Sequence, residues 1–130
     1  MAYRIYMVDD DQFLLDLYAV KFKNAGHEVM VFSGGEELLK TLRKGDKAPD
    51  AILLDVIMPG MDGFSVLEAI QKEKLVNTTK IIVLSNQGQE ADIEKAKALG
   101  AGGYIVKASA IPSEVLAQTV ASIEKTGQDS

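Results

Sequence analysis

The 130-residue chain contains no cysteine, no tryptophan, a single histidine and only three prolines. Without thiols it has no disulfides, no thiol nucleophile and no cysteine-ligated metal, which fits a reducing compartment. The lone histidine, His27, leaves no second imidazole to share a metal. Its place in the Gly26-His27-Glu28 turn reads as a surface turn residue rather than a catalytic base. Positive charge is also short: Lys and Arg total 14 against 19 Asp and Glu, a net charge of −5. With no basic stripe to displace counterions from phosphates, direct nucleic-acid binding is not expected. The longest apolar stretch, around Ala51–Met58, is broken by Asp55 and falls far short of a membrane span. Met1–Met7, followed at once by aspartates, does not make a signal peptide. A soluble, cytoplasmic protein is expected. No linker composition is visible, so the expectation is one domain over residues 1–125 with a frayed tail at 126–130, standing alone.

What is present is an alternation of two hydrophobic periods. Strand-like runs lie at Ile5–Val8, Glu28–Phe32, Ala51–Leu54, Lys80–Leu84 and Tyr104–Val106. Helical patterns separate them. Gln12–Asn24 carries Phe13, Leu14, Leu17 and Val20 at helical spacing, expected to face the core, and stops at Gly26. Ser33 is the expected N-cap of Gly34–Leu42, with Glu36 completing a capping box. A third helix includes Phe64, Leu67, Glu68 and Ile70 and runs to about Lys74. A fourth spans Glu90–Leu99 and ends at Gly100, where a left-handed cap is favoured. A fifth spans Ser113–Glu124, with Pro112 tolerated in its first turn. Strands alternating with helices predict right-handed crossovers: an α/β fold with a doubly wound, five-stranded parallel sheet and five helices on both faces. The five methionines show no stripe and read as core filler.

In such a sheet the carboxyl ends of the strands form the ligand crevice. The strand-like runs lead there into Asp9-Asp10, Asp55, Ser85 and Lys107, so three carboxylates, a hydroxyl and an ammonium are expected at one place. That set suits a divalent metal and a phosphoryl group. Asp11 alone reads as a helix cap. Asp9 and Asp10 do not, because adjacent carboxylates at a crowded strand end repel by about 4 kcal/mol at about 4 Å and an effective dielectric near 20. Mg²⁺, which prefers hard oxygen ligands, would relieve that repulsion. Asp55 closes the most apolar strand, where an isolated acid is expensive. The turn after it, Val56-Ile57-Met58-Pro59-Gly60-Met61-Asp62-Gly63, is stiffened by Pro59 and suits holding a backbone carbonyl toward the metal.

These residues resemble the receiver domain of two-component response regulators, the small chemotaxis-regulator type. The resemblance rests on Asp9-Asp10 after the first strand, the Asp55–Gly63 stretch after the third, Ser85 after the fourth and Tyr104-Ile105-Val106-Lys107 at the fifth. It implies a flavodoxin-like strand order, 2-1-3-4-5, and Asp55 as phosphoacceptor. It implies Asp10, Asp55 and the Ile57 carbonyl as Mg²⁺ ligands, with Asp9 assisting through water. Ser85 and Lys107 would hold phosphoryl oxygens, and Tyr104 would swing inward as Ser85 moves. The implied phosphodonor is a sensor histidine kinase or histidine phosphotransfer protein. The implied output is a downstream protein docking on the face made by the fourth helix, fifth strand and fifth helix. Such a domain catalyses its own phosphorylation and dephosphorylation but turns over no external substrate.

Two departures stand out. Ala108 follows Lys107 where the family usually has proline, and Asn86 stands where a small residue usually follows the switch hydroxyl. The resemblance implies that phosphate lifetime is tuned at the positions two after Asp55 and two after Ser85, here Ile57 and Gln87, which would push in opposite directions: an apolar shield and a side chain able to hydrogen-bond water. Two other readings compete. A haloacid-dehalogenase-like phosphatase would use Asp9 as nucleophile and Asp11 as acid, but leaves Asp55 and its turn unexplained. A receiver-like module that binds partners without phosphorylation would treat Asn86 and Ala108 as signs of lost chemistry.

Overall fold

Strand residues of alternating parity separate into two cores, one on each face of a single sheet. The computed structural model describes residues 2–45, 47–56, 58, 60–85, 89–107 and 111–125. It contains five strands, β1 (Arg4–Val8), β2 (Glu28–Phe32), β3 (Ala51–Leu54), β4 (Lys80–Ser85) and β5 (Gly103–Val106). Five helices alternate with them: α1 (Gln12–Asn24), α2 (Gly35–Arg43), α3 (Gly63–Glu73), α4 (Glu90–Ala98) and α5 (Pro112–Glu124). All neighbouring strands are parallel, in the order β2-β1-β3-β4-β5. This is the flavodoxin-like order the resemblance implied. Expectations placed on Ile57, Pro59, Asn86, Gln87, Ala108 and the 126–130 tail lie outside the described residues.

Tyr6, Val8, Ile52, Leu54, Ile81 and Val83 point to one side, where they meet α2, α3 and Ala96 of α4. Ile5, Met7, Leu53, Ile82, Leu84 and Ile105 point to the other, against α1 and α5. A parallel sheet covered on both faces needs strands that are apolar in both parities. Ala51-Ile52-Leu53-Leu54 is buried throughout for that reason. β2, at the sheet edge, is the exception: Glu28, Met30 and Val31 are exposed there. The reading of every methionine as core filler is therefore corrected, with Met7 and Met58 buried and Met30 43% exposed.

Two helix readings are also corrected. α1 buries Leu15, Tyr18, Ala19 and Phe22, whereas Phe13, Leu17 and Val20 are 74%, 45% and 57% exposed. The two sets lie on opposite faces of the helix, and Leu15, Tyr18 and Phe22 join the core cluster that includes Leu84 and Ile105. α2 begins one residue later than expected. Its N-cap is Gly34, with no side-chain cap, and the Ser33 hydroxyl donates instead to Glu37 Oε1 at 2.6 Å. Gly35, the first residue of α2, packs so closely on α3 that a Cβ there would stand 2.3 Å from Val66 Cγ2. The other ends agree closely, including Gly100 at φ +100° after α4.

His27 sits at the opposite end of the sheet from the strand carboxyl ends. It is half-buried and stacks on Tyr3 at 5.6 Å, and its Nδ1 accepts the Tyr3 amide at 3.1 Å. Its role there is structural.

Candidate functional site

The register of the sheet puts the acidic residues together. Val8 pairs with Leu54 at the ends of β1 and β3, so Asp9 and Asp55 emerge side by side. One further hydrogen bond holds each: the Asp55 amide donates to Val8 O at 3.0 Å and the Asp9 amide to Phe32 O at 3.2 Å. On the far side, Ser85 pairs with Val106 at the ends of β4 and β5, and Lys107 follows directly.

Carboxylate oxygens of Asp9, Asp10 and Asp55 lie within 4.8 Å of one another. Asp9 and Asp55 are buried, and Asp10 is exposed at the rim. The Lys107 ammonium reaches into the cluster, 2.5 Å from Asp9 Oδ2 and 3.3 Å from Asp55 Oδ1. Asp9 is thus its nearer partner. The other Asp9 oxygen, Oδ1, accepts the Asp11 amide at 2.9 Å. Asp11 caps α1, its carboxylate accepting the Leu14 amide at 3.2 Å, as its sequence position indicated. Ser85 is fully buried at the end of β4, and Tyr104 is half-buried against the core on the α2–α3–α4 side.

Charge at this site is held under tension. Burial, and then the nearby charge of Asp9, push the Asp55 carboxyl up to about 6, against the opposing pull of Lys107. For Lys107 burial acts to lower its pKa, but the bond to Asp9 and the charges of Asp55 and Asp9 outweigh it and raise the ammonium overall. One residue at this end was not singled out from sequence: Tyr18 of α1, 4% exposed. Burial pushes its phenol up, Lys107 pulls it down and Asp9 raises it again, so it stands within electrostatic reach of the ion pair. The available signal was a phenol at a core position of the helix that follows the acidic pair.

Hard carboxylate oxygens, two of them desolvated and one open to water, suit a divalent cation with retained waters such as Mg²⁺. The raised Asp55 carboxyl marks the same need, since a second cation would offset what Lys107 alone does not.

Comparison with known proteins identifies the arrangement. The model of the response regulator receiver domain matches residues 5–120. The chain belongs to this family. The receiver is 32% identical over 126 residues to the alkaline phosphatase synthesis transcriptional regulatory protein PhoP of Bacillus subtilis, covering 97% of this chain and 50% of that protein. It is 27% identical over 120 residues to protein PilH of Pseudomonas aeruginosa, covering 92% of this chain and 96% of PilH. Among solved structures, it superposes on chemotaxis protein CheY4 of Vibrio cholerae with a TM-score of 0.84 and 27% identity, over 94% of this chain and 99% of that one. The chain spans about half the length of the transcriptional regulators it matches. Receiver domains are signalling domains of two-component systems, not enzymes in the ordinary sense, and they hold Mg²⁺ at an acidic pocket. Among the described residues, no helix is long and apolar enough to cross a membrane.

Proposed function

We propose that this receiver accepts a phosphoryl group on Asp55 from a phosphohistidine donor, with Mg²⁺ held by Asp10 and Asp55, and changes its partner-binding face in response. The observation that carries the reading is a buried carboxylate at a strand end, pushed up to about 6, facing a buried lysine and two further acids. With its carboxyl pushed up to about 6, the buried Asp55 is still mostly ionised at neutral pH, as a nucleophile requires. One carboxylate oxygen of Asp55 attacks phosphorus as the donor's N–P bond breaks. The bonding pair returns to the imidazole nitrogen.

The transferring group is largely metaphosphate-like, so positioning and charge stabilisation dominate. Lys107 stands where a phosphoryl oxygen on Asp55 would meet its ammonium. Ser85, at the end of the adjoining strand, supplies a hydroxyl to another oxygen. Bound Mg²⁺ would supply charge neutralisation for the acids and the incoming anion. Asp9, with both oxygens engaged, holds Lys107 in place, and later attack of water on phosphorus breaks the bond to Asp55, releasing inorganic phosphate and the free carboxylate.

Support for a protein donor comes from the site rim. Phe13, just past Asp10 and Asp11, and Ile111, at the N-cap of α5, are 74% and 60% exposed at the catalytic ends of neighbouring helices. They offer apolar contact beside the entrance, and exposed Leu17 and Val20 continue that apolar face along α1. On the output side, α4 buries only Ala96 among its residues, so little packing resists its displacement. The switch is read as Ser85 drawn toward the phosphoryl group and Tyr104 filling the space beneath α4.

The phosphatase alternative is disfavoured by the engagement of both Asp9 oxygens and by the capping role of Asp11. Incubation with a small-molecule phosphodonor and Mg²⁺, followed by intact mass measurement, is expected to give one phosphoryl adduct. The adduct should be absent in Asp55→Asn and after chelation. An adduct that persists in Asp55→Asn refutes the reading, and no adduct in the parent leaves a binding-only module.

A further inference from the structure

Beyond the Ser85–Tyr104 route, the described contacts contain a second physical path from Asp55 to α4. It begins at Gly63, the first residue of α3. A Cβ there would stand 2.4 Å from the Asp55 carbonyl oxygen and 2.8 Å from Val56 Cα, and the Gly63 amide donates to Val56 O at 2.8 Å. The start of α3 is therefore pressed onto the backbone of Asp55 with no side chain between them. Phe64 follows directly, half-buried against the core. The ammonium of Lys95, on α4, lies 4.5 Å from the centre of the Phe64 ring.

We propose that Phe64 and Lys95 form a latch that holds α4 against α3 in the unmodified domain and lowers its responsiveness to phosphoryl chemistry at Asp55. The inference rests on the α4 switching reading above. The Lys95–Phe64 contact accompanies a Lys107 ammonium placed on Asp9 and Asp55 rather than on a phosphoryl oxygen. The latch matters because α4 has little else: Ala96 is its one buried residue. At its C-terminal end, Gly100 lies against the Gln71 side chain of α3, where a Cβ would stand 2.1 Å from Nε2. Tyr104 lies in the same core cluster as Ala96, so an inward-turning ring displaces α4 and works against the Lys95–Phe64 contact.

A cation over an aromatic face at an exposed site is worth a modest energy, so its release should change an affinity by about two- to fivefold. By reciprocity, a contact made only in the unmodified state weakens binding of anything that favours the modified one. The probe is beryllofluoride with Mg²⁺, a phosphoryl mimic, followed by calorimetry because the chain has no tryptophan. Lys95→Met keeps the aliphatic stem and should tighten binding about two- to fivefold. Phe64→Leu should do the same, and the double variant should gain no more than either single change. Lys95→Arg keeps a cation over the ring and should match the parent. Lys95 is exposed, so Lys95→Met is not expected to unfold the domain. Unchanged or weakened binding in Lys95→Met, or additive gains in the double variant, overturns the latch. Amide shifts of residues 90–98 in the parent on adding the mimic separate the two levels. If they move while Lys95→Met binds as the parent does, only the latch fails. If they do not move, the switching reading fails and the latch falls with it.

Discussion

In metal-free buffer at pH 7.5, Lys107→Met is expected to cost the receiver about 3–5 kcal/mol of stability, the usual penalty for stranding a buried charge. The side chain of Lys107 is 8% exposed, and its ammonium is the cation shared by Asp9 and Asp55. Methionine fills a similar volume, so the loss reports charge rather than a cavity. Against a total of about 5–15 kcal/mol for a typical domain, this is a large fraction. The loss has a built-in pH dependence. Asp55 already holds its proton up to about pH 6 with Lys107 present. Without the lysine it holds the proton to higher pH, so the penalty shrinks on acidification as one of the two facing charges is neutralised. Mg²⁺ should return part of the lost stability. Urea unfolding of both proteins in chelator, at two pH values, reads all of this. A loss below about 1 kcal/mol at pH 7.5 would mean that the ion pair in the structure does not hold the site together.

Asp55→Asn is expected to act in the opposite direction. The Asp55 carboxyl is raised to about 6 in the folded chain, chiefly by burial and then by Asp9, whereas an unfolded aspartate titrates near 3.9. Below about pH 4 both states carry the proton, and the group contributes its full stabilisation. Between about 4 and 6 the unfolded chain ionises first, so stability declines as pH rises; above 6 the penalty is constant. Asparagine carries no such charge. Metal-free Asp55→Asn should therefore be about 3 kcal/mol more stable than the parent at pH 7.5, roughly two pKa units at about 1.36 kcal/mol each, with the pull of Lys107 already counted in that shift. The difference should vanish toward pH 4. Equal stabilities across that range would remove the claim that Asp55 is held charged at a cost. Such a cost is what functional sites pay for reactive groups, and the variant gains stability by losing chemistry.

Much of this was legible in the sequence, for reasons that particular residues make plain. Ala51-Ile52-Leu53-Leu54 is apolar in both parities, so a doubly covered parallel strand ending at Asp55 follows almost directly. The strand-end positions of Asp9, Ser85 and Lys107 carry the rest of the site, because a parallel sheet brings all carboxyl ends to one edge. α1 was misread because it has two apolar stripes. Phe13, Leu17 and Val20 keep helical spacing as well as Leu15, Tyr18 and Phe22 do, and periodicity alone does not say which stripe meets the sheet. The partner preference of Lys107 was equally hidden. Asp9 and Asp55 leave adjacent strands in register, and only side-chain placement puts the ammonium nearer to Asp9. The α2 cap fell on Gly34 rather than Ser33, whose hydroxyl bonds Glu37, and the close approach of Gly35 to Val66 of α3 is a long-range contact that no local pattern anticipates.

The most direct test of the account is the chemical location of the phosphoryl group. The receiver is treated with a small phosphodonor and Mg²⁺, reduced with borohydride and sequenced by tandem mass spectrometry, which converts a phosphorylated aspartate to homoserine. Homoserine at position 55 is the predicted result; homoserine at position 9, or at neither, would contradict the assignment of Asp55 as the reacting carboxylate.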